Sequence, residues 1–337
     1  MTSENEHTMT QPARRILHLA ALSAMAALTT LGLPAAQANT LDLTRYAAGT
    51  TTSHALDTLS GRGLEASAVT WARDRQSLFF VGDEGMGVVE ISKTGTTLGS
   101  MAFNWAGTGS THQDAEGLTY LGNGQLVVVD ERPQIAYRFD YINGGSVALN
   151  GVAKVALTGS TASVGNVGTE GISVDLRDGT FFSVKQDNPA QLRGGALSFA
   201  VGGGTSSMTT LFTGPNSNSS LFGLSSLSDV QTLSGVDALA GTAAADHLLI
   251  LSLDSKKLIE INRAGVVQSS LDLAGLTTQA IEGVTIDERG VIYLVAENAG
   301  SLPSRLIVLT PVPEPGTWAL MAAGLLGLGA LARRQRG

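Results

Sequence analysis

The chain has 337 residues, of which 43% are hydrophobic, 15% are charged and 41 are glycine; it carries a formal net charge of −8 and has no cysteine. This mixture excludes a coiled coil and a highly charged disordered chain, and with its many Val, Ser and Thr residues it favours an all-β protein with tight turns. The negative charge argues against a nucleic-acid partner, and the lack of cysteine excludes disulfides, redox pairs and thiolate metal sites.

Residues 1–38 have the three parts of a secretory signal peptide. Two arginines supply the positive start, an Ala/Leu-rich apolar run follows, and Ala36-Gln37-Ala38 matches an A-x-A cleavage site. The mature chain is therefore predicted to begin at Asn39. An uncleaved membrane anchor is the alternative interpretation.

A short tripeptide then recurs through the middle of the chain. It consists of Glu or Ser, a small residue and an apolar residue, and its copies lie 49, 54, 64 and 48 residues apart. We call it the inner tripeptide. The five copies are Ser67-Ala68-Val69, Glu116-Gly117-Leu118, Glu170-Gly171-Ile172, Ser234-Gly235-Val236 and Glu282-Gly283-Val284.

Each inner tripeptide is followed by a second apolar run, a third alternating run and, in the first four units, a weaker fourth run. Four short strands in a unit of about 50 residues, repeated five times, predict a five-bladed β-propeller of four-stranded antiparallel blades over residues 39–311. A two-layer sandwich is the competing all-β arrangement. It does not explain why one tripeptide returns at the spacing of propeller blades.

The last unit lacks a fourth strand, and the first unit is preceded by the strand-like run 41–46. We therefore expect Leu41–Tyr46 to provide the outer strand of the last blade. Such pairing closes the ring and removes an open sheet edge.

Acidic residues recur at one end of the predicted blades. In an antiparallel meander the first strand begins where the second ends, and the innermost strand lines the central channel. Arg132 and Lys185 are expected to offset part of the charge at that mouth. The acidic residues predicted to converge there are Asp83, Asp114, Glu116, Glu131, Glu170, Glu282 and Glu297, with Glu65 close by.

Carboxylates crowded into a narrow mouth repel one another, so some must protonate or bind a cation. Oxygen ligands without His or Cys suit a hard cation, and Ca²⁺ is preferred over Mg²⁺ where the geometry is irregular. Ca²⁺ is thus the predicted cofactor. The alternative is that the glutamates cap backbone amides of neighbouring blades and bind nothing. His112, two residues before Asp114, is the one histidine near the predicted mouth.

Residues 312–337 contain a second targeting pattern. Pro313-Glu314-Pro315 precedes sixteen uncharged residues, and three arginines lie at the end. This order closely resembles the PEP-CTERM sorting signal, which implies an exosortase and the secretion machinery as partners, transient anchoring in the inner membrane, and a cell-surface or extracellular location. Membrane contact would then come only through the terminal segments. An ordinary tail anchor is the alternative.

Residues 60–310 resemble the SdiA-regulated family of bacterial propellers, which is similar to NHL-repeat propellers. The order Ser, Glu, Glu, Ser, Glu in the inner tripeptides carries the resemblance, together with Asp130-Glu131-Arg132 and Lys185-Gln186-x-Asn188-Pro189. The resemblance implies five blades and a calcium site that includes Glu116, Glu131, Glu170 and Glu282. Two positions depart from the family pattern: Gln186 replaces an expected Glu, which lowers the charge of the implied site, and Ala68 replaces an expected Gly.

Two functional classes follow from these patterns. The first is an exported, calcium-binding and non-catalytic module that binds exopolysaccharide or another surface or extracellular-matrix ligand. The second is a metal-dependent hydrolase, like the lactonases and phytase-like esterases on related propellers. A hydrolase needs an open coordination position and a nearby base, and the sequence offers carboxylates without a clear base.

Overall fold

The computed structural model describes residues 40–215 and 221–312. The predicted signal peptide, with Ala36 and Ala38, and the sorting segment, with Pro313, Glu314 and Pro315, lie outside the described residues. The apolar runs of these two segments, which we predict to form targeting helices on either side of the propeller, and the segment boundaries therefore stay predictions. Within the described residues, no helix is long and apolar enough to cross a membrane.

The described chain opens with one helical turn, α1 (Thr44–Ala47), and continues almost entirely as strands. Short 3₁₀ turns lie at Leu59–Gly61, Leu149–Gly151, Asp237–Leu239 and Ala243–Asp246. The strands are β1 (Thr50–Ala55), β2 (Ala66–Ala72), β3 (Ser77–Gly82), β4 (Gly87–Ile91), β5 (Thr97–Asn104), β6 (Ala115–Gly122), β7 (Gln125–Asp130), β8 (Ile135–Asp140), β9 (Ser146–Ala148), β10 (Ala153–Ala156), β11 (Thr169–Asp175), β12 (Thr180–Lys185), β13 (Gln191–Gly195), β14 (Leu197–Ser198), β15 (Ala200–Val201), β16 (Thr205–Ser206), β17 (Thr209–Thr213), β18 (Asp229–Thr232), β19 (Leu248–Ser252), β20 (Lys257–Ile261), β21 (Val267–Asp272), β22 (Ile281–Ile286), β23 (Ile292–Ala296) and β24 (Arg305–Thr310).

The strands form five blades, so the predicted five-bladed propeller is confirmed. Blade 1 is β2-β3-β4-β5, blade 2 is β6-β7-β8-β10, blade 3 is β11-β12-β13-β17, blade 4 is β18-β19-β20-β21, and blade 5 is β22-β23-β24-β1. Two blades exceed the predicted four strands, because β9 pairs in parallel with β5 and β15 pairs antiparallel with β10. β14 and β16 form a separate small hairpin.

The core consists of five apolar clusters, each between two neighbouring blades. Strand β7 shows how alternation builds them: Leu126 and Val128 pack toward blade 1, whereas Val127 and Val129 pack toward blade 3. Because successive side chains of a strand point to opposite faces, the blade's second strand is apolar throughout. This packing explains why the second runs of the sequence are continuous rather than alternating.

The predicted outer strand of blade 5 was placed in the wrong segment. Residues 44–47 form α1, and the strand that pairs with β24 is β1, with a register from Thr50↔Thr310 to Ala55↔Arg305. The side chains of β1 are largely exposed, so this strand is polar and rich in Thr rather than apolar. The apolar pattern at 41–46 instead reflects burial of Leu41, Leu43 and Tyr46 against blades 4 and 5.

The prediction for the fourth inner tripeptide was also wrong. The inner strand of blade 4 is β18, and the tripeptide in the equivalent position is Ser228-Asp229-Val230. Residues 234–236 lie instead in the long connection between β18 and β19. The pattern was missed because Asp229 stands where the other blades carry a small residue. Its buried carboxylate accepts hydrogen bonds from the Val230 amide at 2.8 Å and the Val284 amide at 2.7 Å.

Candidate metal centre

The inner tripeptides owe their form to a β-bulge at the start of the inner strand. In blades 2, 3 and 5 the pairing with the second strand shifts at Glu116, Glu170 and Glu282, and in blade 1 it shifts at Ser67. A bulge leaves one residue outside the ladder and re-aims its side chain. The same local irregularity therefore directs a glutamate from three different blades to one end of the channel.

The glycines after Glu170 and Glu282 are required by the neighbouring blade. A Cβ atom on Gly283 would lie 2.8 Å from the Ser67 carbonyl oxygen, and one on Gly171 would lie 2.6 Å from the Asp229 Cα. Backbone atoms cannot move away as a flexible side chain can. Close approach of adjacent inner strands thus explains the Glu-Gly pair in physical terms, without reference to a ligand.

The structure brings the predicted acidic residues together at one channel mouth. Asp83, Asp114 and Glu116 each place a carboxylate oxygen within 4.8 Å of the others. We define the acidic mouth as these three residues with Glu131, Glu170, Glu282, Glu297 and Glu65.

Charge coupling links the three inner glutamates. Burial raises the pKa of Glu116 well above its usual range, and the charges of Glu170 and Glu282 raise it further. Burial also raises the pKa of Glu170, with Glu131 as the next cause. The three glutamates therefore behave as one electrostatic group although they come from different blades.

The residues after the second strands complete this group. Burial raises the pKa of Glu282 to about 9, with the charge of Glu297 as the next cause. Burial and a hydrogen bond with Glu65 raise the pKa of Asp83 to about 7. Burial likewise raises the pKa of Glu131 to about 7, although Glu131 accepts a hydrogen bond from the Gly168 amide at 2.8 Å.

The two cations expected to offset this charge behave differently. Arg132 lies 2.6 Å from Asp114, measured from Nε to Oδ2. Lys185 donates to the backbone carbonyl groups of Asp187 and Pro189, and burial lowers its pKa. Among the described residues, Arg132 is the one Lys or Arg side chain within 4 Å of a carboxylate of the acidic mouth.

A hard cation fits the acidic mouth. Two oxygens bound to one Ca²⁺ at 2.3–2.6 Å lie at most about 5 Å apart, and the three oxygens of Asp83, Asp114 and Glu116 meet this limit. Among the described residues, no hydrogen-bond donor reaches the buried Oε2 of Glu131, which lies beside the cluster. His112 is exposed and contacts Thr111, so it does not join the described cluster.

The sequence reasoning missed the opposite end of the channel. A cavity of about 960 Å³ opens there, and the inner strands contribute a ring of polar residues to it. Each lies three residues after the first position of its inner tripeptide, and this period is the signal that could have revealed the ring. We call the ring the hydroxyl mouth; it comprises Thr70, Thr119, Ser173, Gln231 and Thr285.

Comparison with known proteins identifies two sequence families. The sequence model of the SdiA-regulated family matches residues 45–300, and that of the PEP-CTERM protein-sorting motif matches residues 311–336.

Similar solved structures include a luciferin-regenerating enzyme, with 10% identity and a TM-score of 0.44, covering 78% of this chain and 96% of that chain. The WD40 β-propeller domain of Doa1 has 13% identity and a TM-score of 0.37; 72% of this chain is covered, and 66% of that domain. The β-propeller domain of Myceliophteria thermophila Cps50 (Swd1) has 12% identity and a TM-score of 0.35, with 75% and 73% covered.

Proposed function

Because this chain belongs to the SdiA-regulated family of β-propellers, we propose that it is a calcium-stabilised, non-catalytic binding module. The observation that carries the proposal is the cluster of Asp83, Asp114 and Glu116, whose oxygens lie within 4.8 Å of one another in a buried acidic setting. The PEP-CTERM motif indicates an exported propeller protein that is processed by an exosortase-type sorting system.

Electrostatics support the calcium part of the proposal. Eight carboxyl groups share the acidic mouth, and Arg132 alone among the described cations contacts them. A protein that holds several carboxylates together away from water is stable only if some of them bind protons or a cation. A divalent cation offsets two negative charges at once, and the irregular all-oxygen arrangement suits Ca²⁺ better than Mg²⁺.

Calorimetry and thermal melting with and without Ca²⁺ test this site. Binding to the folded state alone stabilises it by about 2.7 kcal/mol at a hundredfold excess of Ca²⁺ over Kd. For a domain of this size we expect the melting temperature to rise by roughly 5 °C. A chelator should reverse the rise, and Mg²⁺ should restore it less well.

Two variants locate the effect. Glu170→Gln removes one buried charge of the acidic mouth and should weaken Ca²⁺ binding. Asp178→Asn is the control, because Asp178 lies in an exposed turn. The side-chain oxygen of the asparagine can still accept the hydrogen bond that the Thr180 amide donates to Asp178. No heat of Ca²⁺ binding and no effect of chelator on the melt would show that the glutamates only cap backbone groups.

The same protein tests the hydrolase alternative. A metal-dependent esterase needs a cation with an open position and a base beside it. We expect no turnover of lactones or phosphate esters, with or without Ca²⁺. If the protein hydrolyses an ester only with the cation bound, and Glu170→Gln abolishes this activity, the protein is an enzyme rather than a non-catalytic binding module. Binding of exopolysaccharide or another surface ligand can be measured directly on the calcium-loaded chain.

The proposal also includes the first and last residues of the mature protein. We expect cleavage after Ala38 and removal of the tail beyond Pro315. Intact-mass spectrometry of the exported protein checks both ends, and an exported species that still carries Arg336 contradicts removal of the tail.

A further inference from the structure

Arg132 contacts two carboxylates of the acidic mouth. Its Nε lies 2.6 Å from Oδ2 of Asp114 and 3.9 Å from Oε2 of Glu131. Both carboxylates are almost fully buried, whereas the Arg132 side chain is 25% exposed. The guanidinium thus lies on the solvent side of Asp114, a member of the three-residue cluster, and offsets its charge.

The other end of the same guanidinium holds a surface segment. Its second terminal nitrogen donates to Oδ1 of Asn166 at 2.6 Å, and the Val164 amide donates to the Arg132 carbonyl oxygen at 3.0 Å. The remaining hydrogen bonds within residues 160–166 are local, such as Ala162 to Ser160 and Gly165 to Ser163. Among the described residues, Arg132 therefore makes the bonds that tie the middle of this exposed segment to the propeller.

A guanidinium keeps its charge at every pH at which a protein is folded. It therefore cannot make room for a divalent cation by losing a proton, as a lysine or histidine could. Two positive groups that share Asp114 repel each other strongly in surroundings of low dielectric. This repulsion favours movement of the side chain away from Asp114, and a flexible, partly exposed arginine is able to move.

We propose that Arg132 is a built-in cation that occupies the acidic mouth when calcium is absent, and that Ca²⁺ displaces its guanidinium and breaks the side-chain bond that holds Asn166. This inference rests on the proposed calcium site and adds its regulation. Residues 158–167 are rich in Ser, Thr and Gly and are largely exposed, and the bond to Arg132 places Asn166 beside the acidic mouth. Calcium binding is thereby coupled to the mobility of the chain around Asn166, while the Val164 amide keeps its bond to the Arg132 carbonyl oxygen.

Calcium titrations of the full chain compare three variants with the natural protein. Arg132→Gln removes the charge and keeps a hydrogen-bond donor, and it should bind Ca²⁺ about tenfold more tightly. Arg132→Lys keeps a positive charge that a proton loss can remove, so its affinity should lie between those of the natural protein and Arg132→Gln. Arg62→Gln is the matched control, because Arg62 donates to the Ser100 hydroxyl and forms no ion pair with a described residue. It should leave the affinity unchanged.

Hydrogen exchange of the natural protein provides a test that needs no variant. Ca²⁺ should speed the exchange of the amides of residues 165–167, and Arg132→Gln should show fast exchange there with or without Ca²⁺. Unchanged or slower exchange on adding Ca²⁺ overturns the proposal.

The titrations separate this inference from the proposed function. If the natural protein binds Ca²⁺ and Arg132→Gln binds equally or more weakly, Arg132 does not oppose the cation, and only this inference fails. If Arg132→Gln alone binds Ca²⁺, the arginine blocks the site and the inference is supported. If neither binds, the calcium site itself is wrong and both proposals fail.

Discussion

The two mouths of the channel are formed by the same five inner strands, yet they have opposite chemistry. At the acidic mouth, buried carboxylates from four blades face one another with little compensation. At the hydroxyl mouth, side chains accept hydrogen bonds from the backbone of the next blade, as Thr285 does from Trp71 and Thr70 does from Tyr120, both at 3.1 Å. Three of the five inner strands begin with a buried glutamate at the acidic mouth, and hydroxyl groups near the other end of the strands join the blades.

This difference shows that the two ends of one repeat affect stability in different ways. The hydroxyl groups satisfy inner-strand amides that would otherwise be buried without a partner, which costs free energy. Nearby charges are paired, since Arg73 contacts Asp237 and Arg177 contacts Asp175. At the acidic mouth, Arg132 is the one described Lys or Arg side chain that pairs with the carboxylates.

The largest effect should come from removing the segment beside the hydroxyl mouth. Leu41, Leu43 and Tyr46 are buried, and the Tyr46 hydroxyl donates to the Gly290 carbonyl oxygen. Deleting residues 40–47 removes this apolar contact and should lower the free energy of unfolding by about 5 kcal/mol. Chemical denaturation checks the loss.

The deletion keeps β1, so the outer strand of blade 5 is retained. The calcium-induced change in melting temperature should persist if the two mouths are independent. An unchanged melting temperature would show that the segment adds no stability.

The two mouths should also respond to pH in opposite directions. The folded-state pKa values of Asp83 and Glu131, about 7, and of Glu282, about 9, lie above the values near 4 of unfolded chains. The stability from these groups is fully present below the unfolded pKa and is lost as pH rises through 7 and 9. The calcium-free protein should therefore melt several degrees lower at pH 9 than at pH 6.

At the hydroxyl mouth, stability changes with pH in the opposite direction. Hydrogen bonds with Arg177 lower the pKa of Asp175 despite burial, and the pKa of Glu288 is lowered as well. Their stabilisation is present above the unfolded pKa and is lost as pH falls below about 4. Saturating Ca²⁺ should prevent the loss of stability at high pH and leave the loss of stability at low pH unchanged. A melting temperature that is flat between pH 6 and 9 without Ca²⁺ contradicts the assignment.

A single hydroxyl should produce the smallest effect. Thr285→Val removes the acceptor of the Trp71 amide and the donor to Gln231. An unsatisfied buried amide costs about 1–3 kcal/mol, so thermal melting should show a loss of roughly 2–6 °C.

Thr51→Val is the control for this change, because Thr51 is exposed on β1. Neither variant should alter the affinity for Ca²⁺. A change in affinity with Thr285→Val would mean that the two mouths are coupled along the inner strands.

The repeat predicted most of the fold because its signals are local. Alternating runs such as 135–139 and apolar runs such as 126–129 specify strands through burial of their own side chains. The outer strand β1 escaped this reasoning, because its side chains are exposed and its sequence has no apolar pattern. The fourth inner tripeptide escaped because Asp229 replaces a small residue and obtains its partner, the Val284 amide, from another blade.

The sequence by itself determined the number of blades, the glutamate at the start of three inner strands, and the acidity of one end of the channel. These features depend on the period of the repeat and on the direction of each strand, which neighbouring residues encode. Only the tertiary structure decided that Asp114 and Glu116 share one cluster with Asp83, and that Arg132 spans from Asp114 to Asn166. Such contacts depend on distances of a few ångströms between residues that lie in different strands and loops, and no local pattern records them.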